Sequence, residues 1–145
     1  MIRAKRLLSI ILAAMLAVSA FTAYADFSDV PDGAFYKDSV ERLTDLGVIS
    51  GMGDGTFAPD NLITRAEFSV IAVKVANYKE GGSSLLFSDV PSSFWGAKHI
   101  ATAAENKLIY GYPDGSFHPG ENITYAQALT ILMRLLGYSS GEIGR

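Results

Sequence analysis

The sequence predicts a mainly α-helical fold made of two tandem helix–loop–helix repeats. A shift of 60 positions aligns residues 27–78 with residues 87–138 without a gap. In both copies a glycine-rich loop runs into the same Thr-x-x-Glu/Gln pattern. Similarity at one fixed period indicates a single supersecondary unit used twice.

The segment before the first repeat is predicted to be an export signal. Three basic residues precede an apolar run over residues 7–18, and Ala23 and Ala25 supply the small residues of a cleavage site. The run is shorter than the ~20 residues needed to cross a bilayer. We therefore expect residues 1–25 to be removed and the mature protein to be secreted without a membrane anchor.

The mature chain is acidic and lacks cysteine. Residues 1–25 hold three of the 12 basic residues and none of the 15 acidic ones, so their removal changes the formal net charge from −3 to −6. This balance argues against nucleic acid as a partner, because binding it needs a basic face. The absence of cysteine excludes disulfides and thiolate metal sites.

Each repeat opens with Phe-Ser-Asp-Val-Pro and continues to an aromatic residue. Asp29 and Asp89 are expected to stabilise a turn through a side-chain hydrogen bond, rather than to bind a ligand. Phe35 and Trp95 occupy aligned positions and are expected to fill the core of their repeats.

The first helix of each repeat is predicted from apolar spacing, with Gly47 as the residue that ends it in the first copy. The apolar positions are Val40, Leu43 and Leu46 in one copy and Ile100, Ala103, Ala104 and Leu108 in the other.

The second helix of each repeat is predicted to begin at a capping box. Thr64 with Glu67, and Thr124 with Gln127, have the required spacing. Apolar stripes are then expected to face the core. They comprise Phe68, Ile71, Ala72 and Val75 in the first copy and Leu129, Leu132, Met133 and Leu136 in the second.

These boundaries give an expected order of segments. It is a signal peptide at 1–25, repeat 1 at 26–78, a linker at 79–86, repeat 2 at 87–138 and a flexible tail at 139–145. A third opening pentapeptide would be due near position 147, so two alternatives are open: the protein has two units, or the sequence is a fragment that lacks a third, which another chain could also supply.

The opening pentapeptide, the aromatic before the first helix, the Gly-Tyr-Pro-Asp-Gly-Ser-Phe loop and the Ile-Thr-Arg-Ala-Glu-Phe segment together resemble the S-layer homology (SLH) repeat. The resemblance covers residues 27–78 and 87–138. It implies a bacterial cell-surface module that binds a secondary cell-wall polysaccharide noncovalently, often one with pyruvate ketals. It also implies repeats packed about a pseudo-threefold axis, with ligand grooves between neighbours.

The resemblance also suggests which residues contact the glycan. Arg65 stands at the position whose arginine meets the acidic sugar in the family, and Gly51, Gly111 and Tyr112 belong to the loops beside the helix starts. Tyr112 and the aligned Met52 are equally compatible with stacking on a sugar or covering a helix. The second copy departs from the pattern, because Tyr125 replaces the arginine and Gln127 the glutamate.

Other functions are less well supported by the sequence. The loops lack the ligand spacing of an EF-hand, and no nucleophile, base or metal constellation is recognisable, so we expect neither an enzyme nor a metal or other cofactor. The alternative from another class is a self-associating extracellular interaction module without glycan binding.

Overall fold

The computed structural model describes residues 26–81 and 87–143, and there the fold is mainly α-helical, which confirms the predicted class. The helices are α1 (Lys37–Asp45), α2 (Arg65–Val75), α3 (Ala97–Glu105), α4 (Tyr125–Leu135) and the short α5 (Ser140–Ile143). Within these ranges the β-structure is one isolated antiparallel bridge between Thr64 and Asn122. The predicted signal peptide and residues 82–86 of the predicted linker lie outside the described residues.

No helix in the described ranges has the length and apolar character needed to span a bilayer. The short α5 falls in the segment expected to be a flexible tail. The Glu142 carboxylate accepts hydrogen bonds from the N–H of Ser139 at 2.8 Å and from its hydroxyl at 2.5 Å. These bonds define where α5 begins.

Both long second helices begin at a capping box. In α2 the Thr64 hydroxyl accepts from the Glu67 N–H at 3.2 Å, and the Glu67 carboxylate accepts from the Thr64 N–H at 2.8 Å. In α4 the Thr124 hydroxyl accepts from the Gln127 N–H at 3.2 Å, and the Gln127 amide oxygen accepts from the Thr124 N–H at 3.0 Å. Each helix therefore starts at the residue after its threonine.

Helices α1 to α4 all end in the Schellman arrangement, with a residue at positive φ directly after the cap. In α1, Gly47 donates to Thr44 O at 2.8 Å and Val48 donates to Leu43 O at 2.9 Å. The same pair of bonds recurs at the other three ends. The residues with positive φ are Gly47 (+67°), Asn77 (+52°), Lys107 (+60°) and Gly137 (+91°).

The opening aspartate of each repeat ties the pentapeptide to the distant loop. Asp29 accepts from the N–H groups of Phe57 at 2.7 Å and Ala58 at 2.6 Å. Asp89 accepts from Phe117 and His118, both at 2.7 Å. The side-chain hydrogen bonds were expected, but they join segments 28 and 29 residues apart rather than closing a local turn.

The larger hydrophobic core spans both repeats, because α2 packs against α3 and α4. Its buried members are Ala66, Ala72, Val73, Val90, Ala97, Ile100, Ala103, Leu108, Ile109, Phe117 and Ile131. A separate small cluster of Phe27, Val30 and Val40 belongs to repeat 1 alone. The apolar face of α2 is therefore buried mostly by repeat 2, and the two repeats share one core.

The prediction that Phe35 and Trp95 fill the core is wrong. Phe35 is 97% exposed and Trp95 is 63% exposed. Their neighbours Tyr36 and Phe94 pack against the two clusters instead. Adjacent residues at the start of a helix face different directions, so only one of two neighbouring aromatic side chains can point inward.

The predicted apolar stripes are also partly wrong. On α2 the buried side chains are Arg65, Ala66, Ser69, Ala72 and Val73, whereas Val75 is exposed. On α4 only Ile131 is buried, and the predicted core residues Leu129, Leu132 and Leu136 are exposed. Leu129 and Leu132 align with Ser69 and Ala72, which are buried on α2, but the described residues leave the two leucines uncovered.

Candidate functional site

The N-terminus of α2 docks into the loop of repeat 2. Arg65 N–H donates to Glu121 O at 2.8 Å, and Ala66 N–H donates to Pro119 O at 3.1 Å. In the opposite direction, Ile123 N–H donates to Ile63 O at 3.0 Å. Unpaired N–H groups at a helix start need acceptors, and here carbonyl groups of the neighbouring repeat provide them.

A cavity of about 320 Å³ opens beside this junction, and we call it the inter-repeat groove. Repeat 1 contributes one edge and repeat 2 the remainder. Among the described residues, its lining includes two arginines and no aspartate or glutamate. The lining residues are Arg65, Ser69, Ile109, Tyr110, Gly111, Tyr112, Phe117, Ile123, Ala126, Gln127, Thr130, Ile131 and Arg134.

Arg65 is held in a fixed position rather than being a mobile surface charge, since only 7% of the residue is exposed. Its Nε donates to Phe117 O at 2.8 Å. The guanidinium carbon lies 4.5 Å from the ring centre of Phe117 and 5.1 Å from that of Tyr112. These contacts leave the terminal N–H groups beside the groove, although one of them also lies 3.5 Å from Tyr110 O.

Arg134 supplies the second cation, from the other end of the groove. Its Nη1 donates to Leu108 O at 3.0 Å, and its guanidinium carbon lies 4.4 Å from the ring centre of Tyr110. Its Nε is buried without a hydrogen-bond partner among the described residues. In repeat 1 the aligned Lys74 donates to Gly47 O at 3.0 Å, so both repeats place a cation at the end of their first helix.

Tyr112 forms part of the groove wall and is held from two sides. Its hydroxyl lies 3.4 Å from the Gln127 side-chain nitrogen. On the other side the His118 ring meets it edge-on, with ring centres 4.7 Å apart. His118 also forms an ion pair with Glu121 at 3.3 Å when its ring is protonated. Tyr112 therefore presents a supported aromatic face to the groove.

The two predicted loop glycines have different surroundings. Gly111 lines the groove, whereas Gly51 lies in the aligned loop of repeat 1 and is absent from that lining. A Cβ at either position would strike the ring of the opening phenylalanine. It would also lie 2.6 Å from a carbonyl oxygen, that of Thr56 or Ser116. Close packing thus requires glycine at both positions, whether or not a ligand binds. Met52, which aligns with Tyr112, is exposed.

Carboxylates fix the loop that carries the groove wall. The pKa of Asp89 is lowered: burial acts to raise it, but the N–H groups of Phe117 and His118 outweigh that effect. The hydroxyl and N–H of Ser116 lower the pKa of Asp114, and the Phe57 N–H lowers that of Asp29. All three groups stay ionised at neutral pH, so Asp89 and Asp114 hold the loop of repeat 2 and Asp29 holds the aligned loop of repeat 1.

Thus the structure brings together Arg65, Gly111, Tyr112 and Gln127 from the sequence-predicted set, and it leaves Gly51 and Thr64 outside the groove. Sequence reasoning missed Tyr110, Thr130 and Arg134. The only signal was that position 134 aligns with Lys74, which keeps a basic residue near the helix C-terminus. No group of three or more possible metal ligands occurs among the described residues.

Comparison with known proteins agrees with the repeat structure. The family model described as the S-layer homology domain matches residues 26–69 and 86–129. A surface layer protein of Brevibacillus choshinensis is 36% identical over 150 residues, which cover 97% of this chain and 13% of that protein.

Two further relatives are similar in kind. The middle cell wall protein of Brevibacillus brevis is 37% identical over 112 residues, covering 74% of this chain and 11% of the relative. The cellulosome-anchoring protein of Acetivibrio thermocellus is 39% identical over 114 residues, which cover 76% of this chain and 26% of the relative. The chain therefore spans only a small part of these relatives.

These matches, with surface-layer and cell-surface proteins among the relatives, support a secreted location at the cell wall or S-layer. The two matched segments carry the loops, the capping boxes and the first turn of each second helix at the inter-repeat groove. The chain belongs to the S-layer homology domain family.

Proposed function

We propose that this chain anchors an exported protein to the bacterial cell wall by binding an acidic secondary cell-wall polysaccharide, such as a pyruvylated one, in the inter-repeat groove. The observation that carries this proposal is the groove lining, in which the described residues include two arginines and no carboxylate, in a chain with a mature net charge of −6. We also propose that the two repeats comprise residues 26–78 and 87–138.

Arg65 is the proposed contact for the acidic group. Its Nε bond and its two aromatic neighbours fix the plane of the guanidinium. A planar fork whose orientation is already set can take a carboxylate in a bidentate pair with little further loss of entropy. Tyr112 would then lie beside the same sugar.

The acidic chain makes binding depend on local contacts. Its net charge repels a polyanion at long range, but free charges more than about 8 Å apart are largely screened at physiological salt. Inside the groove the two guanidinium groups act at contact distance. Long-range repulsion together with close contact in the groove favours a polymer that carries separate charged substituents, each of which can be bound individually.

We further propose that the module itself is not catalytic. A relative named endoglucanase, from a Bacillus species, is 30% identical over 117 residues, and these cover only 12% of that protein. This small share fits an arrangement in which other parts of such proteins carry the enzymatic activity.

The test places a negative charge in the groove without disturbing the fold. Thr130 lines the groove, and its hydroxyl bonds only to Ala126 O of its own helix, at 2.8 Å. Thr130→Glu and Thr130→Gln are nearly equal in size, so the difference between them isolates the charge. One unit charge near the guanidinium groups is worth about 1 kcal/mol or more, or about fivefold in affinity.

The measurement is co-sedimentation with protein-free walls of the bacterium that encodes the chain. Thr130→Glu should bind intact walls about fivefold more weakly than Thr130→Gln. The two should bind equally to walls stripped of acidic substituents. Equal binding of both variants to intact walls would show that the acidic polymer is not held in this groove.

A second candidate, association with another repeat, rests on the exposed face of α4. Ser69 and Ala72 of α2 are buried, whereas the aligned Leu129 and Leu132 of α4 are exposed, as is Leu136 after the helix. Tyr125 stands where Arg65 makes its contacts and is 81% exposed. A further repeat, from a second copy or from another chain, would cover this face as repeat 2 covers α2.

Sedimentation velocity over a range of concentrations tests this candidate. Association through α4 predicts oligomers that Leu132→Glu abolishes, while Phe35→Glu, an exposed residue outside this face, has no effect. A monomer at every concentration would leave the second candidate without support.

A further inference from the structure

A second cavity, of about 210 Å³, adjoins the inter-repeat groove. We call it the C-terminal cavity; its lining residues are Asn106, Lys107, Tyr110, Arg134, Gly137, Tyr138 and Ser139. Tyr110 and Arg134 line both cavities. The stacked pair of guanidinium and phenol ring, at 4.4 Å, is therefore the wall that the two spaces share.

The groove runs along α4 toward this shared wall. Four of its five α4 residues, Gln127, Thr130, Ile131 and Arg134, are spaced i, i+3, i+4 and i+7, which places them on one helix face. Seven residues of helix correspond to about 10.5 Å. The C-terminal cavity then continues the same line, because Gly137, Tyr138 and Ser139 directly follow the end of the helix.

The C-terminal cavity has the chemistry of an acidic-sugar subsite. It offers the partly exposed rings of Tyr110 and Tyr138, the Asn106 amide and the exposed ammonium group of Lys107. None of the described residues in its lining is acidic. The nearby Glu142 carboxylate is bound to Ser139 through two hydrogen bonds. Aromatic faces with a few polar groups and a cation suit a sugar ring that bears a negative substituent.

Lys107, which supplies the cation of this cavity, has an unusual backbone conformation. It lies at φ +60°, at the helix-ending position where repeat 1 has Gly47. The N–H bonds of Lys107 to Ala104 O at 2.9 Å and of Leu108 to Ala103 O at 2.8 Å fix that backbone. A lysine there costs conformational energy that glycine avoids. The fold therefore carries a positioned cation at a point where backbone geometry alone would favour glycine.

We propose that the C-terminal cavity is a second glycan subsite, which takes the neighbouring acidic unit of the polymer whose first unit lies in the inter-repeat groove. This inference rests on the proposed function and extends it from one sugar to two neighbouring units of the same polymer. Repeat 1 has Gly47 and Ser50 at the positions of Lys107 and Tyr110, although it keeps Tyr78 at the position of Tyr138. The pairing of Lys107 with the Tyr110 ring therefore occurs only in repeat 2.

The test removes the Lys107 charge while keeping its backbone. Lys107→Asn suits a positive φ because asparagine tolerates this region, and Lys107→Gly removes the strain altogether. Lys79→Asn is the matched control, since it makes the same charge change at an exposed residue that lines neither cavity. The probe is polysaccharide released from purified walls by muramidase digestion and separated by size.

Isothermal titration should show that both Lys107 variants bind long fragments about two- to fivefold more weakly than the parent, the range for an exposed charge contact. The shortest fragments should bind all proteins equally, and Lys79→Asn should match the parent throughout. If both Lys107 variants bind long fragments as the parent does, the second subsite is wrong while the groove proposal stands. If the parent binds no fragment, both proposals fail.

Discussion

Arg65→Ala should destabilise the fold much more than the same change at the aligned position of repeat 2. The variant loses the Nε bond to Phe117 O, a charge-assisted contact worth about 1.5–3 kcal/mol. It also loses cation–π contacts with the rings of Phe117 and Tyr112, worth about 1–2 kcal/mol when partly desolvated. The 3.5 Å approach to Tyr110 O is too long to add much.

Because such contributions are not additive, we expect a total of about 3 kcal/mol in the free energy of unfolding. For a chain of this size that corresponds to a fall of about 10–15 °C in Tm. Tyr125→Ala is the matched control. Its side chain is 81% exposed, so its removal should change stability by less than about 0.5 kcal/mol.

Urea denaturation of the mature chain, followed by circular dichroism, measures both variants. Arg65→Lys should fall between Arg65→Ala and the parent, because an ammonium group keeps the charge and loses the planar fork. If Arg65→Ala proves as stable as Tyr125→Ala, then Arg65 does not join the repeats and the account of its burial is wrong.

Three further results are expected. Thr64→Ala and Thr124→Ala should each lower the free energy of unfolding by about 1 kcal/mol in thermal melts, and no loss in either would mean that the caps contribute nothing. Gly47→Ala should destabilise, whereas Lys107→Gly should stabilise by up to about 1 kcal/mol; equal effects at both positions would contradict the argument from positive φ. Asp89 has a lowered pKa, so its contribution is full above the unfolded value of 3.8 and is lost as pH falls through the lower folded value. The deficit in Tm of Asp89→Asn relative to the parent should therefore shrink toward pH 3, and a deficit independent of pH would refute this.

Local signals in the sequence were sufficient to predict the repeat and the start of each second helix. A capping box needs two residues three positions apart, and Thr64 with Glu67 makes both of its bonds in the structure. Gly47 likewise ends α1 as its position predicts. These features depend on neighbours along the chain, which is why they could be predicted without knowledge of packing.

Features that depend on the other repeat were not predictable. The sequence places Arg65 at a helix start, but its burial depends on Phe117 and Tyr112, which lie more than 40 residues away in repeat 2. Arg134 was not identified because its role depends on the ring of Tyr110 across the fold. The sequence also does not show whether Trp95 or Phe94 is the core aromatic residue. That choice depends on how the following helix is oriented against the core.

The most direct test of the central claim, that an acidic wall polysaccharide binds in the inter-repeat groove, is an amide NMR titration of the mature chain with muramidase-released wall fragments. The account predicts shift changes at Gly111, Tyr112 and Thr130, and no comparable changes at the aligned Gly51, Met52 and Val70 of repeat 1. Changes confined to the repeat 1 loop, or changes spread evenly over both loops, would contradict it.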